Sequence, residues 1–202
     1  MTRPFNVKEQ LTFYGAYHSN KVNVTIHIVC VPLIMWSTLV WLSALPLPEA
    51  LSAFNFKPLV FNDYMSFEPT WACVFFIVYQ TYYLILEPRA ALIYLPEFLF
   101  SLATANSFSH GPNGMKYATA VHVFSWVMQF IGHGVFEKRA PALLDNIAGA
   151  LILAPFFVHL EMLFAVGYRK DMHKELNNAV GVKIAQFRKK EGDKKRAEGK
   201  AL

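Results

Sequence analysis

The sequence predicts an all-α, multi-pass membrane helical bundle, with about four full spans, a broken C-terminal helical hairpin and a polar basic tail. Three observations predict it. Hydrophobic residues make up 54% of the 202-residue chain and charged ones only 16%, against the ~25% charged that is usual in soluble domains. Apolar runs long enough to cross a bilayer recur along the chain. Charge is also segregated: residues 169–202 hold 11 Lys/Arg against 5 Asp/Glu, and the remainder 8 against 9. A basic, polar tail after the last apolar run fits a cytosolic C-terminus under the positive-inside rule. The chain therefore divides into a membrane-embedded part, 1–168, and a basic cytosolic tail, 169–202.

Residues 7–17 place Val7, Leu11, Tyr14 and Tyr17 at helical spacing, which predicts a short amphipathic helix on the membrane surface. His18-Ser-Asn-Lys-Val-Asn23 breaks it, since Asn and Ser favour turns. A first full span follows over 24–44. On one continuous helix His18 and His27 would point to opposite faces, nine residues being about two and a half turns; a bend between them lets them converge. Residues 45–70 contain Pro46, Pro48, Pro58 and Pro69 and predict a loop on the far side, packed down through Phe54, Phe56, Phe61 and Phe67. Residues 71–86 and 90–105 form an aromatic-rich span and its return, turned by Glu87-Pro-Arg89. After the turn at Gly111-Pro-Asn-Gly114, residues 118–136 are the fourth run. The last apolar region, 142–168, is interrupted at Pro155 and predicts two half-length helices, with Asp145, His159 and Glu161 facing protein rather than lipid.

Four crossings from a cytosolic start bring His133 to the same face as His18 and His27. Three neutral imidazoles at one face suit Zn or Fe(II), and an iron with open positions suits O2 chemistry. Around His133 the sequence reads Phe130-Ile-Gly-His-Gly-Val-Phe-Glu-Lys-Arg139, where Gly132 and Gly134 allow a ligand or a second helix to come close. Glu137, at i+4 from His133, is expected to pair with Lys138 or Arg139. His122 is assigned to the opposite face and left out of the site; His110 and His173 are expected to be solvated. The tail lysines alternate with acids and lack interleaved aromatics, so lipids and not nucleic acid are the expected partners. Cys30 and Cys73 read as small buried hydrophobes. Clustered histidine boxes, GxSxG, HExxH, P-loop and GxGxxG motifs are all missing, which argues against di-iron desaturases, serine hydrolases and nucleotide-dependent enzymes.

Leu11-Thr-Phe-Tyr-Gly-Ala-Tyr-His18, Asn23-Val-Thr-Ile-His27 with Val31-Pro32, and Trp126-Val-Met-Gln-Phe-Ile-Gly-His-Gly-Val-Phe-Glu-Lys-Arg-Ala-Pro-Ala-Leu-Leu-Asp-Asn146 resemble the fungal-type 2-hydroxy fatty acid dioxygenase family. The likeness continues through Leu153-Ala-Pro-Phe-Phe157 and Glu161. It implies a multi-span protein of the endoplasmic reticulum that uses Fe(II) and O2, with its active site toward the cytosol. The implied reaction is α-oxidation of a 2-hydroxy fatty acid to the acid one carbon shorter, with release of CO2, in phytosphingosine breakdown. His18, His27 and His133 match the family's histidine motifs, so the resemblance implies them as iron ligands. Lys138 and Arg139 are candidates to attract the substrate carboxylate. Some relatives carry a second histidine where this chain has Ser19, so that neighbour is no essential ligand here. A non-enzymatic lipid-binding or scaffold protein and a haem-binding electron carrier are the alternatives.

Overall fold

The structure, a computed structural model, describes residues 5–47, 57–138, 140 and 147–199. In chain order it has α1 (Val7–Gly15), α2 (Lys21–Ser43), β1 (Leu59–Asn62), β2 (Met65–Phe67), α3 (Trp71–Leu86), α4 (Pro88–Ser109) and α5 (Gly114–Ile131). The last continues as a π-helical turn (Gly132–Glu137), and α6 (Ile147–Ala165) and α7 (Lys170–Gly199) complete it. The fold is mostly helical.

α2 is the central element and touches α3, α4, α5, α6 and the π turn. It begins at Lys21, inside the predicted break: Asn20 is its N-cap, its side chain accepting from the backbone N–H of Val22 (2.9 Å) and Asn23, which satisfies donors that no helical carbonyl reaches. Tyr83, Phe98 and Phe156 are fully buried in the core. The Tyr83 ring lies flat on Phe156 at 4.5 Å, and its hydroxyl donates to the Ile152 carbonyl (2.7 Å), giving a buried phenol the partner it requires.

Several expectations are corrected. α1 does not lie free on a surface: Leu11 and Tyr14 are 2% and 3% exposed, because the helix packs on α6 and α7. The predicted 45–70 loop contains an antiparallel hairpin pairing Leu59 with Phe67 and Val60 with Ser66. Asn106 on α4 fastens it, donating to the Ser66 carbonyl (3.2 Å) while accepting from Ser43 Oγ on α2. Phe61 is exposed and Phe67 packs against the core; Pro48, Phe54 and Phe56 lie outside the described residues.

Nor is the C-terminal apolar region broken at Pro155. α6 runs straight through that proline, whose missing hydrogen bond is offset by burial of Leu153, Phe156, Phe157 and Leu160 on the core. The chain breaks instead after Ala165, where α6 and α7 meet at 120°. Gly167 (φ +90°) and Arg169 (φ +42°) make the turn. Glu87 holds it, accepting from Tyr168 Oη (2.8 Å) and Arg169 Nη1 (2.9 Å) while it also caps α4 through the N–H of Ala90. The basic tail is the long helix α7, whose Leu176 is buried.

Among the described residues one helix, Lys21–Ser43, is by itself long and apolar enough to cross a bilayer; the bent pair Gly149–Ala165 and Lys170–Lys194 passes the same test only when taken together. Trp71–Leu86 is apolar but shorter. In α4 and α5 the apolar run is diluted by Glu97, Asn106, Lys116, His122 and Gln129.

Candidate metal centre

His18, His27 and His133 come together, all buried, with one ring nitrogen of each within 4.8 Å of the others. The ring centroids are 4.4, 4.9 and 5.0 Å apart. His18 follows the end of α1, and its Nδ1 meets the Tyr14 carbonyl at 2.8 Å while its ring stacks on Tyr14 at 4.0 Å. His27, in the second turn of α2, meets the Asn23 carbonyl through Nδ1 at 2.9 Å. His133 sits in the π turn that ends α5. Such turns insert one extra residue and recur at functional sites because they re-aim a side chain.

The hydrogen bonds settle the tautomers. A carbonyl oxygen only accepts, so Nδ1 of His18 and of His27 each carries the proton, and each Nε2 presents a lone pair. Those two Nε2 atoms lie 3.1 Å apart. Two lone pairs at that distance repel unless a cation sits against both. A proton is a poor candidate: burial, and then the neighbouring His27, hold the pKa of His18 well below the usual histidine range, against the pull of the Tyr14 carbonyl. Nδ1 of His133 is buried with no partner. Two locked donors and an orphaned third nitrogen fit a transition-metal ion, whose imidazole ligands characteristically give their other N–H to a carbonyl.

Glu137 ties this cluster together; of its two expected partners, Lys138 forms no ion pair with it among the described residues and Arg139 lies outside them. Its carboxylate accepts from the N–H of Ser19 (3.1 Å) and Asn20 (2.9 Å), from Ser19 Oγ and from Asn23 Nδ2 (3.1 Å). One side chain thus joins the π turn to the His18 bend and to α2. Gly132 allows the approach, since a Cβ there would lie 2.4 Å from Asn23 Oδ1; at Gly134 a Cβ would meet nothing within 4 Å. Only one of the two glycines answers to a close contact.

The cluster closes one end of a cavity of about 360 Å³ lined by Val31, Met35, Phe75, Trp126 and Ala154 among others. Phe130 on α5 and Leu151 on α6 also line it and are 52% and 41% exposed, so these two residues join the cavity to the surface. A second cavity, lined by Ser19, Lys21, Glu161 and Asn177, touches the other side of His18. This arrangement can hold a cation at the head of an apolar slot.

The remaining candidates are placed as follows. Lys138 is exposed, in a left-handed conformation, with its N–H on the His133 carbonyl; Arg139 and Asp145 lie outside the described residues. His122 lines the same cavity as His133, not the opposite face, because eleven residues are three turns plus only about 20°. His159 is buried beside Glu97 (3.6 Å) and the Tyr94 ring, and Glu161 is half-buried at the second cavity. His110 is exposed yet bonded to Glu68 (2.9 Å), and His173 stacks on Phe164. The i+4 spacing of His133 and Glu137 signals a shared structural unit; the Glu137 partners, 114 to 118 residues away, leave no local trace.

A family model described as 2-hydroxy-palmitic acid dioxygenase Mpo1-like matches residues 5–166. The chain is 30% identical over 184 residues to the 2-hydroxy-palmitic acid dioxygenase MPO1 of Saccharomyces cerevisiae, covering 91% of this chain and 94% of that one. No solved structure matches. The matched region takes in the whole histidine cluster and its Glu137 clamp, and the chain belongs to the 2-hydroxy-palmitic acid dioxygenase Mpo1-like family.

Proposed function

We propose that this protein is an Fe(II)-dependent dioxygenase of the endoplasmic reticulum membrane that shortens 2-hydroxy fatty acids by one carbon, within sphingolipid breakdown. The observation that carries the reading is the buried triad of His18, His27 and His133 at the head of an apolar cavity. The reaction balances without a further reductant: one 2-hydroxy acid and one O2 give the acid one carbon shorter, one CO2 and one water. The substrate supplies all four electrons, so no oxoglutarate is consumed.

Fe(II) held by the three histidines supplies the redox chemistry that O2 requires, and imidazole donors suit that ion. The protein's own part is to orient and exclude. Tyr14 and Asn23 fix two imidazoles through their carbonyls, and Glu137 keeps the His18 bend against the π turn. The apolar wall positions the acyl chain and keeps water from it. In this reading several helices span the membrane, the triad faces the cytosol, and the chain enters laterally past Phe130 and Leu151. Lys138 and Arg139 attract the carboxylate at the rim, so Lys138→Ala raises KM while leaving kcat near the wild-type value.

The test is metal content and O2 uptake of detergent-purified protein, wild type beside His133→Ala, with 2-hydroxypalmitate as substrate. Expected are about one iron per chain, substrate-dependent uptake and the fifteen-carbon acid, with iron and product both lost in the variant and membrane insertion retained. Full turnover without iron overturns the scheme, and absence of metal and product from both proteins favours a lipid-binding scaffold.

A further inference from the structure

We propose that Trp41, His122 and Trp126 form the floor of the acyl cavity and set the longest chain the protein accepts, an inference that rests on the fatty-acid reading above. Two of the cavity's walls are antiparallel helices, α2 and α5. On α2 the lining residues His27, Val31, Met35, Thr38 and Trp41 share one helical face, and on α5 His122, Trp126, Phe130 and His133 do the same. The walls meet at both ends. At the head the rings of His27 and His133 lie 5.0 Å apart; at the foot those of Trp41 and His122 lie 4.2 Å apart. At about 1.5 Å per residue, head and foot are separated by roughly 16 Å along α5 and roughly 21 Å along α2.

At the foot the polar atoms are all engaged. Trp126 Nε1 donates to His122 Nε2 (2.9 Å), which leaves His122 Nδ1 as the donor to Ser37 Oγ (2.9 Å). The Ser37 hydroxyl passes its own proton to the Leu33 carbonyl (2.7 Å), and Trp41 Nε1 donates to Thr119 Oγ1 (3.2 Å). Each ring is locked by a hydrogen bond, and both imidazole nitrogens and both indole N–H groups are already used. What remains toward the cavity is ring surface, which suits a terminal methyl group and offers nothing to a polar end.

The test reads binding and turnover across 2-hydroxy acids of fourteen to twenty-four carbons. Binding of radiolabelled acids is measured on metal-stripped protein, and product formation after iron is restored. Trp126→Ala lowers the floor, and Thr38→Phe raises it from a different residue on the opposite wall. Expected is a shift of the preferred length upward in the first variant and downward in the second. Chains at the margin should change by about tenfold in affinity, as a methylene more or less in an apolar pocket gives. A length profile that keeps its optimum in either folded variant overturns the proposal. Absence of product at every length, with a length optimum that still moves, overturns the dioxygenase reading and leaves the floor standing. Because one variant removes volume and the other adds it, either alone decides the question.

Discussion

The carboxylate of Glu137 accepts from Ser19, Asn20 and Asn23, none of which is a cation. Its charge also acts on the rings of His27 and His133, so neutralising it should loosen the geometry and weaken the pull on a cation together. Glu137→Gln is expected to weaken metal binding about 10- to 100-fold, the usual cost of losing a residue that orients ligands; chelator competition measures it, and an unchanged affinity refutes the clamp. Acid should act on the metal-free protein in two steps. His18, with its pKa lowered by burial and His27, is neutral when folded and takes a proton when unfolded below about pH 6.5, so stability falls as pH drops through that range. Burial pushes the Glu137 carboxyl up, but the hydrogen bonds from Ser19, Asn20 and Asn23 outweigh it and leave its pKa below the ordinary one. Its contribution is complete above the unfolded carboxylate range and is lost as pH falls through the folded pKa. Denaturant unfolding against pH should show both steps in the wild type and a smaller lower one in Glu137→Gln, where the Lys8–Glu175 pair remains. At this scale the three histidines were legible as residues: a polar break separates two of them, and the Gly-His-Gly stretch marks the third. Glu137 was half legible, since spacing shows its helix face while its partners lie far off in the chain.

At the level of elements, the contact between α2 and the π turn depends on Gly132. Gly132→Ala sets a Cβ 2.4 Å from Asn23 Oδ1, and separating the two should cost about 1–3 kcal/mol, the usual range for overpacking. Gly134→Ala meets nothing and should be close to neutral. Thermal unfolding of the pair checks this, and equal effects on both would sink the argument. The helices were legible, but their starts only to within three or four residues: α2 begins at Lys21 and α5 at Gly114, each earlier than the apolar run that marks it. The hairpin was not, because its strands are too short to set up a period. Pro155 on α6 misleads in another way: it reads as a break, yet burial of its neighbours carries the helix through it.

For the whole molecule, the proposed topology puts α7 and the β-hairpin on opposite sides of the membrane. With Cys30 and Cys73 replaced, Lys183→Cys should react with an impermeant thiol reagent from the cytosolic side, and Asp63→Cys only after the far side is opened. Labelling of both from one side would defeat a spanning α2. The helical class was legible from composition, whereas the number of crossings was not. Polar residues such as Glu97 and Gln129 serve packing and cavity within α4 and α5, and they dilute the hydropathy by which spans are counted.

The Glu137 clamp also orders events during synthesis. Its donors emerge from the ribosome more than a hundred residues before the carboxylate that they hold, a separation of 118 between Ser19 and Glu137. Contacts so distant in sequence form late, and until α5 is in place the nascent chain offers only two nitrogens whose lone pairs oppose each other. Under the proposed function, metal capture would then be confined to chains that have completed most of their translation and helix pairing, because the third imidazole and the Glu137 clamp arrive together.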